Sequence, residues 1–86
     1  MNIKEECYRL FKIYGRKLSE KGYVAGHGGN ISIRSGDKMY ITRHGCTLED
    51  IRLEDVIEVS LREPTSFDAI SSTETIVHRE IYRQTK

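Results

Sequence analysis

Apolar residues recur at Ile3, Cys7, Leu10, Phe11, Tyr14 and Leu18, intervals of three and four that place them along one side of an α-helix. Asn2 with Glu5 offers a capping-box start and Gly22 after Lys21 a C′ residue, so the pattern predicts a helix over 3–21. Lys4, Glu5, Lys12, Arg16, Lys17 and Glu20 make its other, solvated side. The period then shortens to two. Ile31 and Ile33 alternate with polar residues, Ser35-Gly36-Asp37 reads as a turn, and Met39-Tyr40-Ile41-Thr42 as the returning strand of a hairpin. A short helical turn is expected near 52–55, followed by a third strand through Val56, Ile57, Val59 and Leu61. Arg62 to Ala69, with Pro64, reads as loop. A second helix starts near Ser72 or Thr73, with Ile76, Val77, Ile81 and Tyr82 as its apolar face. The helical pattern is still running at Lys86, and nothing after it covers the second face of a three-stranded sheet. A sheet covered on one face is hard to stabilise. The expectation is a piece of a longer domain, or a chain that gains its missing layer by association.

Composition narrows the class. Eighty-six residues with 37% hydrophobic and 31% charged positions and no Trp fit one small globular domain. A net charge of +1, with no basic stripe, gives no footprint for nucleic acid or a membrane surface. Cys7 and Cys46 match no ligand-pair spacing and read as reduced thiols. No apolar signal core opens the chain and no run of eighteen apolar residues occurs, so a cytoplasmic location is expected.

Two stretches carry candidate chemistry. Ser71-Ser72-Thr73-Glu74 precedes the second helix, where unpaired amides and the backbone dipole favour an anion. Hydroxyls at Ser72 and Thr73 add donors for a phosphate, and Glu74 follows at a distance suited to moving a proton on the molecule that carries it. The same spacing, Ser71 to Glu74, is also an ordinary capping box that simply starts a helix. Gly26-His27-Gly28-Gly29-Asn30 leads into the first strand. Such a loop lets backbone N–H groups approach an anion, or serves as a plain connection. It is no Walker loop, since no Gly-Lys-Ser/Thr follows, and no dinucleotide fingerprint, since it precedes a strand. His27, His44 and His78 are unpaired at local ligand spacing, which argues against a metal site among them. His78, four residues after Glu74, reads as a half-buried histidine with a polar partner, and Tyr82 and Tyr14 as packing.

Three stretches together resemble the N-terminal portion of the class II aldolase/adducin family, which includes L-fuculose-1-phosphate aldolase and L-ribulose-5-phosphate 4-epimerase. They are Gly26-His27-Gly28-Gly29-Asn30-Ile31-Ser32-Ile33-Arg34, Ile41-Thr42-Arg43-His44-Gly45, and Ser72-Thr73-Glu74 with His78 and Ile81-Tyr82-Arg83. The resemblance implies an α/β chain, part of a three-layer α/β/α fold around a mostly antiparallel sheet, with 1–86 as a single partial domain supplying two helices and about three strands. It implies phosphate contacts at Gly29 and Asn30, at His44 and Gly45, and at Ser72 and Thr73, with Glu74 as the acid/base carboxylate. It also implies a zinc-dependent aldehyde-lyase acting on a phosphorylated ketose, in a homotetramer with sites at subunit boundaries. The alternatives are a sugar-phosphate 4-epimerase and a non-catalytic, adducin-like binding or assembly module. His27 stands where Thr is commoner, and Arg43-His44 where Pro-Ser or Pro-Thr is frequent; both departures bear on substrate identity. The family's zinc-binding His pair and later His follow this region. They are not among these residues, so the 86 residues alone are expected to bind no zinc and to be inactive.

Overall fold

The computed structural model describes residues 2–22, 29–72 and 74–84. Helix α1, Ile3–Glu20, begins at Asn2, whose Oδ1 accepts the Lys4 N–H at 2.8 Å. Glu5 and Glu6 in the first turn and Lys17 in the last complement its dipole. Its buried stripe is Cys7, Phe11 and Gly15, with Leu18 half-buried. That corrects the sequence pattern, because Ile3, Leu10 and Tyr14 are 48%, 36% and 54% exposed. At about 100° per residue the two sets form adjacent stripes offset by roughly 75°. Only the first meets the 48–51 segment and the sheet.

Gly15 explains why that stripe wins. A Cβ there would lie 2.5 Å from the Leu48 carbonyl oxygen and 3.0 Å from the Ile51 side chain, so the missing methyl is what lets the helix seat on the following loop. We expect Gly15→Ala to cost about 1–3 kcal/mol through overpacking, despite the better helix propensity of Ala. Urea unfolding checks this, and a gain in stability would show that the helix can tilt away freely.

Three strands form one antiparallel sheet in the order β1-β2-β3: β1 is Ser32–Ser35, β2 is Lys38–Thr42 and β3 is Val56–Ser60. Gly36, with φ +62°, makes the hairpin turn between the first two. Ser32 pairs with Ile41, Ile33 with Tyr40, Ile41 with Ile57 and Met39 with Val59. The two-residue period of a strand therefore sorts the core into two layers. Tyr40 and Val56 face α1 with Phe11, Cys7, Leu48 and Ile51, while Met39, Ile41, Ile57, Val59 and Leu61 lie on the opposite face. The turn expected near 52–55 is present at Leu53–Asp55. A further single turn at Leu48–Asp50 buries Leu48, and another at Ser66–Ala69 lies within the stretch expected to be loop.

Helix α2, Thr75–Gln84, places side chains over that second face. The expectation of a sheet with one bare side is thus corrected, and the arrangement is a small helix/sheet/helix stack of two helices and three antiparallel strands. The inward face of α2 also differs from expectation. Ile76, Val77 and Ile81 are 74%, 57% and 56% exposed, whereas Thr75 and Arg79 are buried and His78 and Tyr82 half-buried. The reason is what the helix meets. Ser32, the Ser60 carbonyl and Asp68 present polar atoms to it, and a stripe at 75, 78, 79 and 82 satisfies them. No helix among the described residues is long and apolar enough to cross a membrane.

Candidate functional site

The site is assembled by a pairing distant in sequence. Beyond β2 the chain continues through an antiparallel bridge between Arg43 and Ser71. The His44 N–H reaches the Ile70 carbonyl at 3.0 Å and the Ser72 N–H the Thr42 carbonyl at 2.9 Å. This stitches the Arg43-His44-Gly45 turn to the segment entering α2. The Thr42 N–H meanwhile donates to the Ile31 carbonyl at 3.1 Å, which brings the residues before β1 alongside. Gly29 and Gly45, with φ of +86° and +83°, take backbone conformations that favour glycine and let both turns fold back around one space.

That space is a cavity of about 300 Å³ lined by Gly29, Asn30, Arg43, His44, Gly45, Ser72 and Glu74. All the expected site residues that are described therefore converge; Thr73, like His27, lies outside the described residues. Arg43, set apart above only as a departure from the family pattern, joins them. The signal for it was a cation next to a turn glycine. A larger depression of about 550 Å³ near Arg16, Glu20, Glu49 and Asp50 carries mixed surface charge and none of these residues.

The start of α2 also settles how its hydroxyls are used. Ser72 Oγ accepts the Glu74 N–H at 3.2 Å, which leaves its own proton available. Ser71 Oγ instead donates to the Asp68 carbonyl at 2.9 Å and lies 2.7 Å from Thr75 Oγ1. The capping role expected of Ser71 thus falls to Ser72. The Glu74 carboxylate, exposed on the cavity side, accepts from Asn30 Nδ2 at 2.5 Å. Asn30 Oδ1 in turn meets His78 Nε2, and His78 Nδ1 lies 2.6 Å from Ser32 Oγ, so the expected polar pairing of His78 is present. Burial holds the His78 pKa below its ordinary value against the pull of Glu74. Both thiols are free and are pushed up, chiefly by burial.

The His78 shift has a consequence for stability. A base whose folded pKa is lowered binds its proton more weakly when folded. Its contribution is intact above the unfolded value near 6.5 and is lost as pH falls through the folded value. The urea midpoint is expected to drop on acidification below about pH 6.5, with a shallower drop in His78→Gln. Equal slopes in the two proteins would remove His78 as the cause.

With this geometry in place, comparison with known proteins is informative. The family described as Class II Aldolase and Adducin N-terminal domain matches residues 11–86. The chain belongs to this family. It is 36% identical over 69 residues to L-fuculose phosphate aldolase of Methanocaldococcus jannaschii, covering 80% of this chain and 38% of that protein. It is 36% identical over 60 residues to methylthioribulose-1-phosphate dehydratase of Schizosaccharomyces japonicus, covering 70% of this chain and 26% of that protein. Among solved structures, L-fuculose-1-phosphate aldolase from Thermus thermophilus superposes with a TM-score of 0.84 at 35% identity, over 91% of this chain and 39% of that one. The chain thus spans well under half the length of these relatives, and it shares the class II aldolase fold.

A metal centre was tested on the donors present. Among the described residues no three His, Cys, Asp or Glu side chains gather where they could hold an ion. Zinc does not fit this donor set.

Proposed function

We propose that the cavity holds the phosphate of a phosphorylated ketose and that Glu74 moves a proton on the carbon chain beside it. On this reading residues 1–86 form the N-terminal part of a class II aldolase-like domain whose whole is a cytoplasmic homo-oligomer, a tetramer by family resemblance. The observation that supports it is the orientation of Glu74. Its carboxylate is tethered by the Asn30 amide at the rim of a cavity that also offers the turn glycines, the Ser72 hydroxyl and the Arg43 guanidinium. A phosphate seated there fixes the position of the reacting carbons, and positioning of this kind can supply several kcal/mol of a barrier, up to about 7–11 kcal/mol in well-oriented cases.

For a ketose 1-phosphate such as L-fuculose 1-phosphate, breaking the C3–C4 bond sends its electron pair toward the C2 carbonyl oxygen, and the C4 hydroxyl loses its proton as the aldehyde forms. The three-carbon phosphate is left as an enediolate. Glu74 as the acid delivers a proton to C3, and in the direction of synthesis the carboxylate removes it. Asn30 orients the carboxylate throughout. Zinc dependence, which the resemblance implies, finds no donor set among the described residues, so these steps use only the chain's own side chains. The dehydratase relatives favour a second reading, in which the same base takes a proton next to the C2 ketone and water leaves from the neighbouring carbon.

Calorimetry of the chain with L-fuculose 1-phosphate tests the site. A saturable heat that disappears in Asn30→Ala is the expected result; heat unchanged by that substitution overturns the assignment. Product analysis on the protein purified from its source separates cleavage, epimerisation and dehydration.

A further inference from the structure

Behind Glu74 runs a line of polar side chains that the reaction scheme leaves unused. Tyr82 Oη lies 2.8 Å from Ser32 Oγ, and Ser32 Oγ lies 2.6 Å from His78 Nδ1. His78 Nε2 meets Asn30 Oδ1, and Asn30 Nδ2 donates to Glu74 Oε2. The line crosses from the inward stripe of α2 to β1 and back, joining residues 44 to 50 positions apart in sequence. No buried side-chain polar atom among the described residues is left without a partner, so the pattern is that of a satisfied network rather than a chance contact.

Its polarity is determined from one end. An ionised carboxylate only accepts, so Asn30 must turn its N–H to Glu74 and its oxygen to the histidine. That oxygen needs a donor, so His78 carries its proton on Nε2. The unprotonated Nδ1 then accepts from the Ser32 hydroxyl, and Ser32 accepts from Tyr82. With the proton on Nδ1 instead, Nε2 would face Asn30 Oδ1 as acceptor against acceptor. Turning Asn30 over to relieve that would set its oxygen against the Glu74 carboxylate. Only one arrangement gives every contact one donor and one acceptor, and in it each proton points toward Glu74.

We propose that His78 is a positioning residue, locked as its Nε2–H tautomer by Ser32 and Tyr82, that holds the Asn30 amide turned toward Glu74 and the cavity. The roles of Asn30 and Glu74 in this statement rest on the function proposed above; the tautomer and the amide orientation do not. An Asn side chain that turns over freely offers the cavity an oxygen half the time. A locked one always offers N–H, which suits an anionic ligand.

Long-range 15N–1H correlation spectra of the chain read the histidine tautomer directly. The Nε2–H pattern is expected at His78, with the Asn30 amide protons well dispersed. Two variants separate positioning from bulk. Gln places an amide nitrogen where Nε2 stood, whereas Asn reaches only to Nδ1. His78→Gln should keep the Asn30 dispersion and bind inorganic phosphate within about threefold of the parent, and His78→Asn should lose the dispersion and bind about tenfold more weakly, as for one lost hydrogen bond to a charged partner. Ser32→Ala, at a half-buried strand position that disturbs little packing, should bring the Nδ1–H form into view and serves where His78→Asn fails to fold. An Nδ1–H tautomer in the parent, equal behaviour of the Gln and Asn variants, or an unmoved tautomer in Ser32→Ala overturns the proposal. If the parent itself ignores phosphate, the site reading fails while the tautomer and Asn30 spectra still decide this one.

Discussion

Asp68→Ala is expected to lower the stability of the chain by about 3 kcal/mol, which for a domain of this size is a fall in Tm of roughly 12 to 24 °C. Arg79 is only 6% exposed. Its guanidinium meets the Asp68 carboxylate at 2.6 Å and the Ser60 carbonyl at 2.9 Å. Removing the carboxylate leaves a buried cation with one carbonyl partner, and the cost is chiefly that of the stranded charge rather than the worth of the pair. The low end of the range applies because the Asp68 side chain is 22% exposed, so water reaches the vacated place. Burial pushes the Asp68 carboxyl up, but the Thr65 N–H and Arg79 together outweigh this and hold it below the ordinary carboxylate range. Adding Arg79→Met to Asp68→Ala should recover much of the loss, since an apolar pair of similar volume needs no counter-charge. Thermal melts of the three proteins decide it. A single variant that loses under about 1 kcal/mol would mean that the guanidinium swings out to solvent. The pair also matters for the site, because it ties the middle of α2 to the 65–69 turn and so holds Ser72 and Glu74 in place.

The residues that failed to follow their pattern show where sequence reading stops. Cys7, Phe11, the hairpin turn at Gly36 and the β-branched run from Val56 were legible because each depends on a local period or a local turn. The tilt of α1 was not. Ile3, Leu10 and Tyr14 form as good an apolar stripe as the buried one, and only Gly15 against Leu48, a contact between separate elements, decides between them. In α2 the hydrophobic pattern predicted the wrong face, because apolar spacing says that a helix has sides but not what each side meets. Here the neighbours are hydroxyls and carbonyls, and Arg79 and His78 turn inward to them. The site divides the same way. Gly29, Asn30, His44, Gly45, Ser72 and Glu74 were each visible as short motifs, but their meeting depends on the Arg43 to Ser71 bridge, which leaves no local mark. Ser32, the link between His78 and Tyr82, looked like one polar position in an alternating strand.

Glu74→Gln tests the chemistry where the loss should be greatest. In the protein purified with its activity, we expect the rate of cleavage to fall by about 10² to 10⁴, the range for removing a positioned general acid or base. The argument rests on what Gln preserves. It has nearly the volume of Glu, and its carbonyl oxygen can still accept from Asn30 Nδ2, so the cavity and the network behind it remain in place. Only the capacity to take up and release a proton is gone. KM for the sugar phosphate should therefore stay within about threefold, since an interaction made only in the transition state moves kcat and leaves ground-state binding alone. A second readout avoids the carbon–carbon bond altogether. Exchange of deuterium from water into C3 of the three-carbon ketone phosphate needs the base and the bound phosphate but no aldehyde, and it should slow in parallel with cleavage. If exchange persists while cleavage stops, Glu74 acts on the C4 hydroxyl and another group serves C3. If both persist, the carboxylate is a structural partner of Asn30, and the base lies elsewhere in the protein.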